Sequence, residues 1–369
     1  MNNIEQLQKD FIWLNEPSVI DNTFSPRNES MIGFLSRSTV DAAKKSREFL
    51  RYNILFLPKH YQREFCKRFE NNWHSSLFEL IVYRMLQELG AKLSIEEQLD
   101  TGKKPDFKAS FDNTTFLVEA TSPFYNKVID KSFAEHRTLL DIVEDNCPEG
   151  WSLWVSALPT IGFSESKKEF KKAIINEFQN LNKTTPDQSA EIEIVRKISE
   201  ELIDITLYPY VVDANSKLLN EPVISFFSDA IEGIKRTLHN KRKQVRNSEI
   251  PAIIAINLNF RSDLGDCDRA LFGNTITTVY ENGNLEESFE PSGYFGKSAN
   301  KDSQPTIAGV IAFTEAGFLY TDKPVLYWNP RYKGKIPNSF NKLPQKSLTD
   351  NNSLCFKSVE QNILGALYP

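Results

Sequence analysis

The stretch over residues 103–121 most constrains the fold, because apolar and polar residues alternate on both sides of a turn signal. Alternation of this kind predicts two half-buried β-strands. The connecting dipeptide, Asp112-Asn113, predicts a tight hairpin turn. In the antiparallel register that a two-residue connection sets, Phe107 faces Val118.

The same register places Asp106 directly opposite Glu119. Opposed residues have Cβ atoms about 4.5–5.5 Å apart, and like charges at that distance destabilise the pair. A bound cation would offset the repulsion, so the two acids are a candidate metal site. Two plainer interpretations stay open: Asp106 could bind nearby backbone in a strand-entry turn after Pro105, and Glu119 could lie on a solvated sheet face.

A third carboxylate stands in the strongly apolar segment of residues 75–90. The segment begins with the N-cap residues Ser75 and Ser76 and ends at Gly90, which predicts a buried helix that is apolar nearly all round. An ionised Glu79 inside such a helix is costly unless something pairs with it. Ser76 and Glu79 also fit a Ser-x-x-Glu capping box, which would satisfy Glu79 locally and without chemistry.

A buried helix bearing Glu, a strand starting Pro-Asp and a strand carrying Glu-x-Thr together resemble the PD-(D/E)XK nuclease superfamily, the fold of many restriction endonucleases. The resemblance runs over residues 75–122. It implies that Glu79, Asp106 and Glu119 bind divalent metal, either Mg²⁺ or Mn²⁺. It further implies a nuclease that hydrolyses phosphodiester bonds, with DNA as the expected substrate, on a restriction-endonuclease-like core.

The chain departs from the family at one position. The family's lysine stands two residues after the second acid, where this chain has Thr121. Such a lysine orients the attacking water and offsets charge on the phosphate, so activity requires a replacement. Three candidates exist: Lys104 lies opposite Thr121 in the hairpin register, Lys108 lies on the face of Asp106, and Lys241 lies on a later helix.

Lys241 is the favoured replacement because it interrupts an apolar stripe. Residues 229–247 have helical periodicity. The other members of the stripe are Ile231, Ile234, Leu238 and Val245. A lysine that faces the core needs a partner, and the acidic cluster would be suitable. Alternatively, its butyl stem covers apolar surface while the ammonium group reaches water.

The same helix is dense in cations, as a surface that neutralises phosphates would be. Besides Lys241 they are Lys235, Arg236, Arg242, Lys243 and Arg246. A charge run can equally be a solvated helix face. The whole chain carries 44 Lys and Arg against 49 Asp and Glu, a formal net charge of -5, so any attraction for nucleic acid must be local to one face.

Strand-like and helix-like runs alternate along the chain, which predicts an α/β protein with a mixed central sheet flanked by helices. Extra helices are expected before the core, and extra strands towards the carboxyl end. Residues 251–259 are apolar enough for a buried central strand. An irregular insertion is expected near residues 274–303, with a hairpin around residues 281–284.

We expect three regions along the chain. An N-terminal helical region spans residues 1–72, and the PD-(D/E)XK-like core spans residues 73–330. Residues 331–369 form a C-terminal tail that we expect to pack loosely. Features outside the motif, notably Lys241 and Trp328-Asn329-Pro330, are similar to bacterial proteins of unassigned role that carry the same core.

Other functional classes find no support in the sequence. The four cysteines form no Cys-x-x-Cys pair, which argues against a zinc ribbon or a disulfide scaffold and favours a reducing compartment. No apolar signal region or membrane-length apolar run is present, so we expect a cytoplasmic protein without a membrane partner. A homodimer is expected if both strands of a duplex are cut.

Two alternatives to an active nuclease stay open. A nuclease fold that has lost its chemistry could serve as a nucleic-acid-binding or assembly module. Thr121 at the lysine position favours that alternative, whereas the retention of all three acids argues against it. An unrelated α/β protein whose acids lie on the surface is the other alternative.

Overall fold

The computed structural model describes residues 3–22, 29–123, 127–157, 167–181, 192–198, 201–208, 230–258, 262–290, 292–296, 306–314 and 322–368. The helices in these residues are α1 (Asn3–Asp10), α2 (Met31–Arg37), α3 (Asp41–Ile54), α4 (Lys59–Asn71), α5 (Trp73–Glu88), α6 (Lys127–Asn146), α7 (Lys167–Leu181), α8 (Ala230–Val245) and α9 (Leu264–Phe272). The strands are β1 (Lys92–Ile95), β2 (Phe107–Phe111), β3 (Thr114–Thr121), β4 (Ser152–Ala157), β5 (Ile192–Ile198), β6 (Glu201–Tyr208), β7 (Ala252–Leu258), β8 (Thr275–Val279), β9 (Leu285–Phe289), β10 (Ile307–Thr314), β11 (Val325–Trp328), β12 (Gln345–Leu348) and β13 (Leu354–Lys357).

Eight of the described strands form one mixed sheet, in the order β1-β2-β3-β7-β10-β11-β12-β13. The first three strands are antiparallel neighbours, and β7 runs parallel to both β3 and β10. Parallel strands inside a sheet are covered on both faces, which is why β7 is an almost unbroken apolar run. Its burial confirms the prediction of a central strand near residues 251–259.

Helices cover both faces of this sheet. Ile254 of β7 and Val310 of β10 share a core cluster with Leu238 of α8 and with residues of α9. Phe313 points to the opposite face, because side chains alternate along a strand. There its ring meets that of Phe78 of α5 edge-on, with centroids 5.1 Å apart. The prediction of an α/β protein with a mixed sheet flanked by helices is therefore confirmed.

The predicted hairpin is present in the predicted register. Phe107 pairs with Val118 and Phe111 pairs with Thr114. The turn between the strands places Asp112 at a φ of 41°, a left-handed conformation that aspartate tolerates better than most residues. The ladder of paired residues begins at Phe107, so Asp106 stands immediately outside it.

Helix α5 is buried as predicted, but it begins earlier than predicted. Its N-cap is Asn72, whose side chain accepts a hydrogen bond from the N–H of Ser75. Ser76 lies inside the first turn, where its N–H donates to the carbonyl of Asn72 at 3.1 Å. The predicted capping box of Ser76 and Glu79 is therefore wrong. The other end matches the prediction, since Gly90 follows the helix at a φ of 87°.

The carboxyl-terminal residues are not loosely packed, contrary to the prediction. Strands β12 and β13 extend the main sheet beyond β11. Phe340 is fully buried and its ring lies 4.9 Å from that of Phe111 and 5.9 Å from that of Phe116. Aromatic packing against the hairpin therefore anchors this segment, despite its prolines and lysines.

The insertion near residues 274–303 contains the expected hairpin, formed by β8 and β9. The turn between them includes Gly283 at a φ of 81°, a conformation that glycine adopts without strain. Residues 291 and 297–303 of the predicted insertion lie outside the described residues.

The chain divides into two compact units. One unit comprises Met1–Pro17, Val40–Phe124 and Ser228–Pro369 and contains the main sheet. The other comprises Ser18–Thr39 and Tyr125–Phe227, and its described strands form an antiparallel sheet in the order β4-β6-β5 with its own apolar core. The regional boundaries predicted at residues 72 and 330 stay a prediction.

In the described part of the chain, no helix combines the length and apolarity needed to cross a membrane.

The central position of β7 predicts that its side chains contribute strongly to the free energy of unfolding. Ile254 is fully buried, so Ile254→Ala should lower the free energy of unfolding by about 2–5 kcal/mol through lost burial and a residual cavity. The same substitution at Ile276, which is 46% exposed on β8, should change it by less than about 0.5 kcal/mol. Urea denaturation of both variants measures the difference, and equal losses would contradict this account of the core.

Candidate active site

Asp106 is positioned by the start of the hairpin. Pro105 offers no N–H, and the paired ladder begins one residue after Asp106. The Asp106 side chain continues the contact between the two strands, because the backbone N–H of Ala120 on β3 donates a hydrogen bond to its Oδ2 at 2.8 Å. The N–H of Glu96 donates to the Asp106 carbonyl at 3.1 Å. The Asp106 carboxylate therefore binds backbone across the hairpin rather than within a strand-entry turn, and these contacts fix both its main chain and its side chain.

Glu119 lies on β3, and its side chain is only 1% exposed. The strand runs between β2 and β7, and α8 packs over the face that Leu117 and Glu119 share. The interpretation of Glu119 as a solvated surface residue is therefore wrong. Its Oε1 is buried and accepts no hydrogen bond from any described residue.

Lys241 of α8 joins the two acids. Its Nζ donates to Oε2 of Glu119 at 2.7 Å and to Oδ2 of Asp106 at 3.3 Å. The flanking stripe residues Leu238 and Val245 are fully buried, so Lys241 stands on the apolar side of the helix as predicted. Because the ammonium group binds the acids, the alternative in which it reaches water is wrong.

The other two candidate lysines lie elsewhere. Nζ of Lys108 donates to Oε1 of Glu97 at 2.7 Å, and Lys104 is exposed. Thr121, at the position of the family's lysine, donates its hydroxyl hydrogen bond to the carbonyl of Ser122 at 3.3 Å. Among the three candidates, only Lys241 contacts the acids.

Glu79 approaches Asp106 from α5, on the opposite face of the sheet from α8. Its partner is Arg68 of α4, whose Nη2 lies 2.5 Å from Oε2 of Glu79. Nη1 of Arg68 binds Oε1 of Glu96, also at 2.5 Å. Glu79 is thus satisfied by an arginine from the preceding helix rather than by its own helix N-terminus.

Arg68 and Glu96 were not identified from the sequence. Arg68 follows Tyr61 and Phe65 at helical spacing, so it interrupts an apolar stripe of α4 in the same way that Lys241 interrupts that of α8. That signal could have identified it. Glu96 has a φ of 49°, an uncommon conformation for glutamate, and no sequence pattern indicates its position.

Burial and mutual repulsion shift the titration of these groups. Burial, followed by the charge of Asp106, raises the pKa of Glu119 to about 7, although Lys241 lowers it. The same two causes raise the pKa of Glu79 to about 7 against the effects of Arg68 and Lys241. Both glutamates therefore lie within electrostatic range of Asp106.

The cation beside them stays charged. Burial lowers the pKa of Lys241, but the carboxylates of Asp106 and Glu119 together raise it above its ordinary value. The site therefore combines a charged lysine with two glutamates whose pKa values are raised from their ordinary range. Perturbed groups of this kind cluster at functional sites more often than elsewhere.

The acid pair fits a divalent metal in its donor chemistry. Asp106 and Glu119 offer oxygen ligands, and the buried Oε1 of Glu119 lacks a partner. Mg²⁺ binds through one or two carboxylates with waters and substrate phosphate, so a pair suffices. No group of three or more histidine, cysteine, aspartate or glutamate side chains in the described ranges is arranged to hold a metal ion. The structure thus brings Glu79 near the pair without completing a three-acid ligand set.

The cationic residues of α8 lie on its outer side. Arg236, Arg242 and Lys243 are exposed, as is Arg246, which directly follows the helix. Lys235 is half-buried and pairs with Glu232 at 3.0 Å. Arg242 and Lys243 directly follow Lys241 in sequence, so the exposed positive charge is on the same helix as the residue that contacts the acids, but on other faces of it.

Comparisons with known proteins assign no family to the chain. Neither protein-family models nor curated proteins nor solved structures produced a significant match. The likeness to PD-(D/E)XK nucleases therefore remains a hypothesis based on the order and spacing of Glu79, Asp106 and Glu119.

The raised pKa of Glu119 predicts how stability depends on pH. Because its folded-state pKa of about 7 exceeds the ordinary 4.5, its contribution to stability is complete below pH 4.5 and is lost as pH rises through 7. Without divalent metal, wild type should therefore lose about 1–3 kcal/mol relative to Glu119→Gln between about pH 5 and 8. Urea denaturation in EDTA measures this difference, and the contributions of Glu79 and His239, whose pKa values are also shifted, are common to both proteins.

Glu97→Gln is the matched control. Glu97 pairs with Lys108 near the surface, and hydrogen bonds from Lys108 and Ser94 lower its pKa. It therefore stays ionised throughout this pH range, and its replacement should leave the pH dependence unchanged. A wild-type curve parallel to that of Glu119→Gln would show that Glu119 titrates normally.

Proposed function

We propose that this protein is a metal-dependent nuclease that hydrolyses phosphodiester bonds in DNA. Asp106 and Glu119 would hold Mg²⁺ or Mn²⁺. The observation that most strongly supports the proposal is the position of Lys241, whose Nζ lies 2.7 Å from Glu119 and 3.3 Å from Asp106. Lys241 supplies, from another element, the positive charge that Thr121 cannot supply.

The chemistry divides between the metal and the side chains. When bound, a divalent ion lowers the pKa of a water ligand and polarises the phosphoryl oxygens. Lys241 has three N–H donors, so it can hold a water or a phosphate oxygen while it binds the acids. Its fixed charge would offset the negative charge that develops on the phosphate. Glu79, with a pKa of about 7, is suited to accept or release a proton at neutral pH.

The exposed cations of α8 support nucleic acid as the substrate. Lys and Arg side chains bind phosphates by releasing condensed counterions, which makes affinity depend on salt. With a formal net charge of -5, the protein needs such a local surface to attract a polyanion. The proposed surface consists of Lys235, Arg236, Arg242, Lys243 and Arg246.

Two further features belong to the same proposal. Cleavage of both strands of a duplex would require two sites related by a two-fold axis, so a homodimer is proposed. The four cysteines are free thiols, which is typical of a reducing compartment and supports a cytoplasmic location.

Cleavage of plasmid and single-stranded DNA with Mg²⁺ or Mn²⁺ tests the proposal. Lys241→Met and Glu119→Gln should each lower the cleavage rate by about 10²-fold or more, because each removes a charged group from the reacting centre. Lys108→Met is the matched control, since that lysine pairs with Glu97 and should leave the rate unchanged.

Circular dichroism of each variant checks that loss of activity is not loss of fold. If wild type binds DNA but cuts nothing with either metal, the protein is instead a binding or assembly module. If Lys108→Met removes activity while Lys241→Met does not, the assignment of the lysine is wrong.

The surface on α8 predicts a salt effect that is independent of cleavage. Arg242→Gln should weaken DNA binding about equally for all sequences and reduce the slope of log K against log salt by about 0.9, because one phosphate contact is lost. Lys44→Gln, at an exposed lysine of α3, should leave the slope unchanged. Fluorescence anisotropy over a range of salt concentrations measures both, and identical slopes for the two variants would exclude α8 as the binding surface.

A further inference from the structure

A second cation, the half-buried Arg68, binds the third acid, Glu79. The guanidinium of Arg68 spans Glu79 and Glu96 with one nitrogen on each carboxylate. Its Nη1 also donates to the hydroxyl of Tyr61, which in turn lies 3.4 Å from Oε1 of Glu96. The planar guanidinium thus bridges two carboxylates, whereas Lys241 binds one oxygen each of Asp106 and Glu119 and leaves Oε1 of Glu119 without a partner.

The charges of this cluster are unequal. The carboxylates are those of Glu79, Glu96, Asp106 and Glu119, and the cations are those of Arg68 and Lys241. When the four acids are ionised, the two cations leave two negative charges uncompensated. That remainder is the charge of one divalent ion.

The unsatisfied oxygen shows where such an ion would bind. Oε1 of Glu119 is buried, belongs to a side chain only 1% exposed and accepts no hydrogen bond from the described residues. Oε2 of Glu79, in contrast, is bound by Arg68. The free ligand oxygen of the Asp106–Glu119 pair is therefore Oε1 of Glu119, whereas Arg68 bridges Glu79 and Glu96.

We infer that the site binds a single divalent ion and that Arg68 takes the place of a second one between Glu79 and Glu96. The inference rests on the proposed function, since it specifies how many ions the nuclease uses. Arg68 is then a positioning residue: it holds Glu79 beside Asp106 with a permanent charge, where a two-ion site would use a metal.

Counting bound Mn²⁺ by electron paramagnetic resonance tests the inference without reference to activity. Wild type should bind one Mn²⁺ per chain. Arg68→Met, which removes the charge but keeps much of the side-chain volume, should bind a second ion. Arg68→Lys retains a cation and should bind one.

Further substitutions assign each ion to its ligands. Adding Glu79→Gln to Arg68→Met should remove the second ion and leave the first. Asp106→Asn in the wild-type background should remove the first. These variants separate binding at the site from Mn²⁺ adsorbed on other acidic surfaces.

Two ions in wild type would overturn the inference, as would a single ion in a folded Arg68→Met. If Arg68→Met does not fold, the wild-type stoichiometry still decides between one ion and two. Absence of any Mn²⁺ in wild type would have a different meaning, because it would contradict the proposed function itself.

Discussion

A carboxylate buried against a second carboxylate is the constraint on which the rest of this structure depends. Glu119 is almost fully enclosed, and an enclosed ionised group is costly unless it is paired. Its partner Lys241 comes from a helix 122 residues further along the chain. The pairing therefore requires α8 to pack over β3, which in turn requires the parallel β7 to complete the sheet beneath that helix. The architecture and the site are consequences of the same contacts.

The amino-terminal helices have a comparable role on the other face. The sequence predicts residues 1–72 as helices added before the core, but α4 in that region contributes Arg68, which binds Glu79 of α5. The acids near the start of the hairpin therefore receive one cation from the α4–α5 side, Arg68, and one from α8, Lys241. With four carboxylates and two cations, the cluster carries two uncompensated negative charges when the acids are ionised, which is the charge that a divalent ion would balance.

The predictions that were confirmed depend on short-range physics. The hairpin register follows from the turn at Asp112 and from strand alternation, and the apolar face of α8 follows from its periodicity. The predictions that were wrong concern which of several nearby residues caps a helix and which distant residues a segment packs against. Asn72 caps α5 in place of Ser75 or Ser76, because its side chain accepts the N–H of Ser75. The carboxyl-terminal segment packs firmly because Phe340 finds aromatic partners on the hairpin.

By itself, the sequence determined the hairpin, the central strand and the two helices that bear Glu79 and Lys241, because periodicity and turn chemistry act over a few residues. It narrowed the missing lysine to three candidates. Only the tertiary structure showed that Lys241 is the lysine that contacts the acids. It also decided that Glu119 is buried and that Arg68 binds Glu79 and Glu96. Those outcomes depend on ion pairs between helices and strands that are far apart in the chain. Burying a charged group is costly, so it is tolerated only where packing places a group of opposite charge beside it.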